Sequence, residues 1–424
     1  MIKRWCYEKI KKHAFEAKEV TMVIGPRQSG KTTLLRQLMD EMIRDGRKVM
    51  YLNLDYEADN QFFESQITLI AKIKNDIGIA GTVFIDEVQR KENAGVFLKG
   101  IYDMDLGYKF VVTGSGSFEL NEKIVESMAG RKRLFELNSL SFKEFVDYKT
   151  DYKYVEKHDL LQKFEKDKLS LMLQEYLIFG GYPRVILTSD EAEKRLLATE
   201  IFNSYLDKDI KGWLGVDKIQ EFTEMCRVLA AESGQLLDMT KLGKQTALSY
   251  KTIKKYLWYL QKTYIIRMVK PFGKNKVNEL VRSPIVYFND LGMRNFLLGQ
   301  LYQRDLKTNL VDASFLFQNL IFLMLKDLTE INLLPYDICY WRTKSGAEVD
   351  FVWGNIVKPI PVEVKFSKQE NVTRSLMSFI NKYKPKKTFL VNLEVEKKYN
   401  GVDFVPYWKL MVKNFLDKMS LRGR

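Results

Sequence analysis

The sequence predicts an α/β protein of several domains that begins with a parallel β-sheet. Apolar runs typical of buried strands occupy residues 19–24, 82–85 and 109–113, and residues 32–41 have the spacing of an amphipathic helix. Residues 51–55 form a further candidate strand. A chain of 424 residues also exceeds the roughly 250–300 residues of a single core, so we expect two to four domains.

The composition is that of a folded globular protein, with 46% hydrophobic and 29% charged residues. A net charge of +14 suits nucleic acid, an anionic membrane surface or an acidic protein as a partner, but it also suits an average protein of a lysine-rich organism. Three distant cysteines and two histidines argue against a disulfide framework or structural zinc.

Targeting and membrane signals are weak in this sequence. The most apolar stretch, residues 315–325, is shorter than the roughly 20 residues that span a bilayer, and the N-terminus lacks the apolar segment of a signal peptide. We therefore expect a cytoplasmic protein with no membrane partner.

Residues 25–32 carry the pattern G-x-x-x-x-G-K-T between the first predicted strand and the first predicted helix. The glycines let backbone N–H groups converge on phosphates, Lys31 supplies charge to the β and γ phosphates, and the Thr32 hydroxyl is a magnesium ligand. The sequence thus predicts a phosphate-binding loop and its flank formed by Gly25, Pro26, Arg27, Gln28, Ser29, Gly30, Lys31, Thr32 and Thr33.

Two acids end the strand at residues 82–85. We predict that Asp86 holds the magnesium ion through water and that Glu87 polarises the attacking water as a general base. An ordinary solvated turn would also carry an Asp-Glu pair, but the spacing of about fifty residues from a P-loop favours the catalytic interpretation.

The strand at residues 109–113 ends in small hydroxyl residues. Thr113 and Ser115 are candidates for a polar sensor between the γ-phosphate and the attacking water. A hydroxyl that only stabilises a turn at the strand end is the alternative for each.

These segments together resemble the AAA-type ATPases of archaea and bacteria that carry an appended C-terminal domain. The resemblance covers nearly the whole chain and rests on GPRQSGKTTLL, TVFIDEVQ, VVTGSGS, Ala129-Gly130-Arg131 and Gly180-Gly-Tyr-Pro183. It implies ATP and Mg²⁺ as cofactors, ATP hydrolysis, and an N-terminal ATPase domain at residues 1–147 with an additional-strand sheet. It also assigns an arginine finger to Arg131, next to Arg133. A finger that acts in trans implies a homo-oligomer, whereas a surface arginine in a basic loop is the alternative.

The middle of the chain predicts two helical units. Residues 148–215 have the pattern of a helical lid interrupted at residues 180–183, where Arg184 is either a second nucleotide sensor or a structural residue. Residues 216–300 have the rhythm of a winged helix, with helices at 222–229, 239–245 and 249–261 and wing strands at 264–269 and 285–288.

The third helix of this unit has a polar face made of Lys251, Thr252, Lys254 and Lys255. Such a face suits phosphate contacts in a DNA groove, although winged helices in ATPases also serve as lids or protein contacts.

Residues 301–424 predict an α/β domain with a D…E-x-K pattern. Asp350 precedes a turn, and Glu363 and Lys365 share one face of the next strand. This pattern is similar to the PD-(D/E)xK nucleases, a resemblance that implies a restriction-endonuclease-like fold and a metal held by Asp350 and Glu363, with Lys365 at the attacking water. Gln318 stands where active relatives carry a glutamate, so cleavage and a non-cleaving binding role both remain open.

We therefore expect an ATP-binding, magnesium-dependent ATPase that couples nucleotide state to a DNA-directed, nuclease-like module. The alternative is a signalling or scaffold ATPase whose winged-helix and nuclease-like domains bind protein partners.

Overall fold

The computed structural model describes residues 2–115, 128–213, 218–273, 283–301, 310–368, 371–412 and 415. The chain starts with a five-stranded sheet in the order β2-β3-β4-β1-β5, and all four pairings are parallel. Its strands are β1 (Val20–Gly25), β2 (Val49–Asn53), β3 (Gly81–Asp86), β4 (Tyr108–Ser115) and β5 (Lys132–Glu136). The predicted parallel sheet is confirmed.

Helices cover both faces of this sheet. They are α1 (Tyr7–Glu16), α2 (Lys31–Arg44), α3 (Glu57–Asn60), α4 (Gln66–Ile77) and α5 (Ala94–Asp103). Side chains of α1 and α2 form one apolar cluster with the sheet, and side chains of α4 and α5 form another. Because all strands are parallel, the residues that follow β1, β3 and β4 meet at one edge of the sheet.

A helical region follows, with α6 (Phe142–Lys149), α7 (His158–Phe164), α8 (Lys166–Phe179), α9 (Pro183–Leu187), α10 (Glu191–Ser204) and a π-helical segment (Tyr205–Trp213). The helices predicted for this region are present. Three of their large apolar side chains, Leu160, Phe164 and Leu171, are nevertheless exposed.

The next unit consists of α11 (Ile219–Ala231), α12 (Met239–Thr246) and α13 (Tyr250–Lys262), followed by the antiparallel strands β6 (Ile266–Pro271) and β7 (Ile285–Phe288). The predicted elements are confirmed to within a few residues at their ends. Ser249 caps α13 by accepting a hydrogen bond from the Thr252 N–H at 3.2 Å.

The rest of the chain contains α14 (Leu291–Leu297), α15 (Leu310–Ile331), β8 (Asp337–Arg342), β9 (Glu348–Gly354), β10 (Pro359–Val364), α16 (Arg374–Tyr383), β11 (Phe389–Asn392), β12 (Lys397–Tyr399), β13 (Val402–Pro406) and a 3₁₀ turn (Tyr407–Met411). Strands β8, β9 and β10 form an antiparallel meander, and β11 then pairs parallel with β10.

The hairpin β6-β7 joins this C-terminal sheet. Strand β6 pairs parallel with β8, which gives an eight-stranded sheet in the order β12-β13-β11-β10-β9-β8-β6-β7. The sheet therefore crosses the domain boundary predicted between residues 300 and 301. Helices α15 and α16 pack on its opposite faces, because Phe351 and Trp353 of β9 belong to the α15 cluster and Val352 belongs to the α16 cluster.

One apolar cluster runs from Leu140 to Phe415, so the helical region, the hairpin and much of the C-terminal sheet share a core. The long helix α15 lies in that core. Within the described residues, no helix is both long and apolar enough to cross a membrane.

Candidate functional site

The P-loop connects the end of β1 to the start of α2. At Gly25, with φ of +156°, a Cβ atom would lie 2.1 Å from the Leu137 carbonyl oxygen, so only glycine fits. Gly30 has φ of +97° and directly precedes α2. The buried Lys31 Nζ donates hydrogen bonds to the carbonyl oxygens of Gly25 at 3.2 Å and Pro26 at 2.8 Å. Two carbonyl groups of the P-loop therefore hold the Lys31 ammonium group in place.

The remaining P-loop residues complete a tight turn at the N-terminus of α2. Gln28 has a left-handed backbone with φ of +59°. Ser29 is fully buried, and its Oγ makes no hydrogen bond within the described part of the chain. Thr33 is exposed on the first turn of α2. A buried hydroxyl at a helix N-terminus fits an anion, because backbone N–H groups converge there.

Asp86 is the centre of a hydrogen-bonded cluster at the edge of the sheet. Its fully buried carboxylate accepts hydrogen bonds from the hydroxyl groups of Thr32 at 2.7 Å, Tyr51 at 2.9 Å and Thr113. The Glu87 N–H donates to the same carboxylate at 3.1 Å. The parallel sheet therefore brings together the predicted residues Thr32, Asp86 and Thr113, which come from three different elements.

These oxygen ligands fit a magnesium ion. Mg²⁺ typically uses one or two carboxylates together with substrate phosphates and water, and the Thr32–Asp86 pair offers one hydroxyl and one carboxylate beside the P-loop. Among the described residues, no group of three or more His, Cys, Asp or Glu residues is arranged to hold a metal. An ion at this place would depend on the phosphates of a bound nucleotide.

Tyr51 is a member of this cluster that the sequence reasoning missed. Burial, and next the charge of Asp86, raise the pKa of Tyr51 well above its usual value, so the phenol stays protonated as a donor. Only the pairing of β2 beside β3 reveals its role, because Tyr51 lies 35 residues from Asp86 in the chain.

Glu87 is held by a second missed residue, Gln89. The amide Nε2 of Gln89 donates to Glu87 Oε2, and its Oε1 accepts from the Ser115 N–H at 3.1 Å. The Glu87 N–H also approaches Thr113 Oγ1 at 3.3 Å. The carboxylate of Glu87 is therefore fixed relative to the end of β4, where Thr113 and Ser115 lie. The glutamine in TVFIDEVQ is the sequence signal that could have revealed it.

A third missed residue, Arg4, connects the P-loop to the next part of the chain. Its guanidinium donates to the carbonyl oxygens of Ser29 at 2.9 Å and Asn138 at 2.7 Å, and to Glu144 Oε1 at 3.2 Å. The contacts span 25 to 140 residues, so no local pattern indicates them.

The turn at residues 180–183 lies against the P-loop. A Cβ atom at Gly30 would come within 4.0 Å of Pro183. The exposed Arg184 places Nη1 at 3.4 Å from Gln28 Oε1 and from Glu200 Oε2. The structure thus brings Arg184 beside the loop, and its role as a nucleotide sensor stays a prediction.

Arg131 lies at the opposite end of the sheet. Its carbonyl oxygen accepts from the Val20 N–H at 2.9 Å, beside the start of β1, whereas the P-loop follows the end of β1. The guanidinium pairs with Asp103 at 2.7 Å. The structure does not bring Arg131 to the P-loop of its own chain, and a role in trans stays a prediction.

The predicted nuclease-like residues form a second cluster, between α15, β9 and β10. Asp350 accepts hydrogen bonds from Gln318 Nε2 at 2.6 Å and from the Val364 N–H at 2.7 Å. Lys365 Nζ pairs with Glu363 Oε1 at 2.9 Å. The residues of the D…E-x-K pattern and Gln318 are therefore neighbours, as the strand pairing in the sheet requires.

The electrostatics of this cluster are unfavourable for two ionised carboxylates. Burial, and next the Glu363 carboxylate, raise the pKa of Asp350, while burial raises the pKa of Glu363 against the opposing effect of Lys365. The amide of Gln318 directs its donor, not its acceptor, at Asp350. Gln318 contributes a neutral donor and no charge here, and the buried Glu363 Oε2 accepts no hydrogen bond within the described residues.

The fold and the site define the first part of the chain as a P-loop ATPase domain. Residues 17–146 match the family model described as "AAA domain". Residues 171–304 match "Domain of unknown function (DUF8612)", and residues 313–410 match "Domain of unknown function (DUF4143)". This protein therefore combines an AAA-type P-loop ATPase domain with two further conserved regions.

Two relatives are similar along most of the chain. "Uncharacterized protein MJ1544" of Methanocaldococcus jannaschii is 23% identical over 409 residues, which are 92% of this chain and 88% of that protein. "Uncharacterized protein Rv2008c" of Mycobacterium tuberculosis is 25% identical over 374 residues, 87% of this chain and 75% of that protein. Among solved structures, the Walker-type ATPase of Pyrococcus abyssi is 12% identical with a TM-score of 0.47, and the match covers 70% of this chain and 96% of that one.

Proposed function

We propose that this protein hydrolyses ATP with the help of magnesium and couples its nucleotide state to a C-terminal part that binds nucleic acid. The observation that carries the ATPase proposal is the cluster around Asp86. Hydroxyl groups from α2, β2 and β4 converge on this buried carboxylate beside the P-loop, and Glu87 follows it directly.

Each residue of the site has a role in this proposal. The P-loop N–H groups and Lys31 bind the phosphates, and Thr32 and Asp86 hold the ion that neutralises charge on the β and γ phosphates. Glu87 takes up a proton from the attacking water, and Gln89 fixes the orientation of its carboxylate. Thr113 and Ser115 lie at the end of β4, where they orient the water and the γ-phosphate.

The test separates nucleotide binding from hydrolysis. Lys31→Ala should lose both ATP binding and turnover, whereas Glu87→Gln should bind ATP and lose at least about 100-fold in turnover, the range of a lost general base. Glu92→Gln, an exposed acid near the same loop, is the charge-matched control and should behave as wild type. Phosphate release and binding of a fluorescent ATP analogue measure the two effects. Turnover that survives both substitutions would refute the assignment.

The nucleic-acid part of the proposal is supported by the charge of residues 239–278, a segment that includes α12, α13 and β6. Residues 239–278 contain no Asp or Glu, and their ten basic residues are Lys241, Lys244, Lys251, Lys254, Lys255, Lys262, Arg267, Lys270, Lys274 and Lys276. Lys251, Lys254 and Lys255 are exposed on α13. Exposed cations on one helix face can neutralise phosphates and release counterions. On the same grounds, we propose that this unit is a winged-helix domain that contacts nucleic acid.

For the C-terminal domain we propose a nuclease-like fold that binds and does not cleave. The support is the Gln318 donor at Asp350 and the internal Lys365–Glu363 pair. Plasmid incubated with the protein and Mg²⁺ or Mn²⁺ should stay intact. Cleavage by wild type that disappears in Asp350→Ala and Lys365→Ala would overturn this proposal, whereas equal cleavage by all three would indicate a contaminant.

A scaffold ATPase is the second candidate, since a cluster in which Gln318 stands in place of an acid also suits a domain that binds a protein partner. The two candidates differ in their affinity for DNA. If a fluorescence-anisotropy titration at low salt shows no binding to duplex DNA, the scaffold function replaces the nucleic-acid function.

A further inference from the structure

Helix α16 carries an exposed polar stripe on the C-terminal sheet. Arg374, Ser378 and Asn381 recur at helical spacing on its outer side and are exposed. Lys382 is exposed in its last turn, and Lys384 and Lys386 continue the exposed surface beyond the helix. We call these six residues the α16 ridge. The opposite side of the helix is anchored by Leu376 and Phe379, both fully buried.

The segment that contains the ridge is basic and has no acidic residue. Residues 371–393 contain five basic residues, Arg374, Lys382, Lys384, Lys386 and Lys387, and no Asp or Glu. Several exposed cations elsewhere on the protein have a carboxylate close by, such as Lys18 with Asp105 at 2.8 Å. Within the described residues, none of these five side chains forms an ion pair. Their mutual repulsion makes a polyanion the favourable partner.

The ridge adjoins the hairpin β6-β7. Phe272, the residue after β6, packs against α16, with ring centroids 5.9 Å from Phe379 and 5.4 Å from Tyr383. Lys270 of β6 is exposed next to this contact. The base of the hairpin and the C-terminal end of α16 are therefore neighbours on one surface, although they belong to segments about 100 residues apart.

The shape of the ridge favours a duplex over a single strand. A ten-residue helix is about 15 Å long, so the ridge can follow several phosphates of one DNA backbone. Single-stranded nucleic acid is typically bound by exposed aromatic rings on which bases stack. Here Phe379 is buried, and Tyr383 is only partly exposed because its ring packs on Phe379 with centroids 4.5 Å apart, so the ridge presents mainly charged and polar side chains.

We propose that the α16 ridge is a second contact surface for the phosphate backbone of duplex DNA, continuous with the hairpin β6-β7. This inference rests on the nucleic-acid function proposed above and adds the C-terminal domain to the interface. Bound DNA then contacts both the unit that contains α13 and the C-terminal sheet, so a single duplex spans two parts of the chain.

The experiment measures how the affinity of the full chain for a labelled 30-base-pair duplex falls with NaCl concentration. The triple variant Arg374→Ala, Lys382→Ala, Lys386→Ala should reduce the steepness of the log–log plot by about 2.7, or about 0.9 for each lost contact. The triple variant Lys74→Ala, Lys157→Ala, Lys163→Ala removes the same charge from exposed positions elsewhere and should keep the wild-type steepness. The conservative variant Arg374→Lys, Lys382→Arg, Lys386→Arg should also keep the wild-type steepness. Basal ATP turnover should be unchanged in all three variants.

A further variant, Lys251→Ala, Lys254→Ala, Lys255→Ala, distinguishes the two proposals. If this α13 variant lowers the steepness and the α16 variant does not, the proposal that the ridge contacts DNA is wrong, and the proposed nucleic-acid function stands. If wild type does not bind the duplex at all, the proposed nucleic-acid function itself fails. An equal loss of steepness in the Lys74 variant would also contradict the proposed role of the ridge. Tighter binding to a single strand of the same length would contradict it too.

Discussion

The Arg4 side chain shows how much one residue outside a motif can contribute to a nucleotide site. Its guanidinium holds the carbonyl groups of Ser29 in the P-loop and Asn138 in the connection to α6, and it pairs with Glu144. Glu144 also accepts a hydrogen bond from the Ser141 N–H at 2.9 Å as part of the capping box of α6. Arg4 therefore positions the P-loop relative to the helical region.

We predict that Arg4→Ala weakens ATP binding by about 10- to 100-fold, because charge-assisted hydrogen bonds contribute about 1.5–3 kcal/mol. Arg4→Lys keeps the charge but loses the forked geometry, so it should recover only part of the affinity. Binding of a fluorescent ATP analogue measures the loss, and thermal unfolding of each variant shows whether the fold is intact. Wild-type affinity in Arg4→Ala would contradict the positioning role.

At the scale of elements, the turn between α8 and α9 is a tightly packed junction near the site. Gly180 has φ of +71°, and a Cβ there would lie 2.3 Å from Asp290 Oδ1 and 2.5 Å from the Gly292 N atom. The Gly181 N–H donates to Asp290 Oδ2 at 2.8 Å, and its carbonyl accepts from Leu140. The turn thus links Leu140, in the segment between β5 and α6, to the start of α14.

Gly180→Ala should lower the free energy of unfolding by about 1–3 kcal/mol more than Gly46→Ala. Both glycines have positive φ, +71° and +75°, but no atom lies within 4 Å of a Cβ placed at Gly46. The difference therefore reports the crowded surroundings of Gly180 together with its ψ of −156°, a backbone conformation that side chains disfavour. Urea unfolding followed by tryptophan fluorescence gives both values, and equal losses would contradict the close packing of this turn.

At the scale of the whole molecule, Glu136 joins the ATPase sheet to the C-terminal part. It lies at the end of β5 and contacts Arg267 of β6, Lys326 of α15 at 3.2 Å and Asn138 at 2.7 Å. Burial alone would raise the pKa of Glu136, but Lys326 and Arg267 outweigh it and hold the pKa well below its usual value. The ionised carboxylate therefore stabilises the contact between the two parts.

Glu136→Gln should lower the free energy of unfolding by about 1–3 kcal/mol at neutral pH, because it leaves the partly buried Arg267 and Lys326 with one partner fewer. Since the folded-state pKa of Glu136 is depressed, its stabilisation is full above pH about 4.5 and is lost as the pH falls below that value. The difference between wild type and variant in urea unfolding should therefore shrink at acidic pH. Glu330→Gln breaks a more exposed pair with the same Lys326, so it should lower the free energy of unfolding by less than about 1 kcal/mol. A pH-independent difference would contradict this role of Glu136.

The sequence by itself determined the features that depend on local spacing. Strand, loop and helix around Gly25–Thr32 form a motif of consecutive residues, and the acids Asp86 and Glu87 directly end a strand, so apolar pattern and residue type were enough to predict both. The helices and strands of the middle unit were predictable for the same reason, because caps such as Ser249 and periodic apolar positions act within a few residues.

Tertiary structure alone decided which distant side chains meet. Arg4 and Tyr51 join the site through strand order and docking, which no spacing encodes, and Gln89 reaches the Ser115 N–H only because β4 lies beside β3. The orientation of the Gln318 amide toward Asp350, the distance of Arg131 from the P-loop, and the continuation of the sheet from β6 to β8 are of the same kind. Hydrogen bonds and steric contacts act over a few ångströms, so residues far apart in the chain affect each other only after the elements have packed.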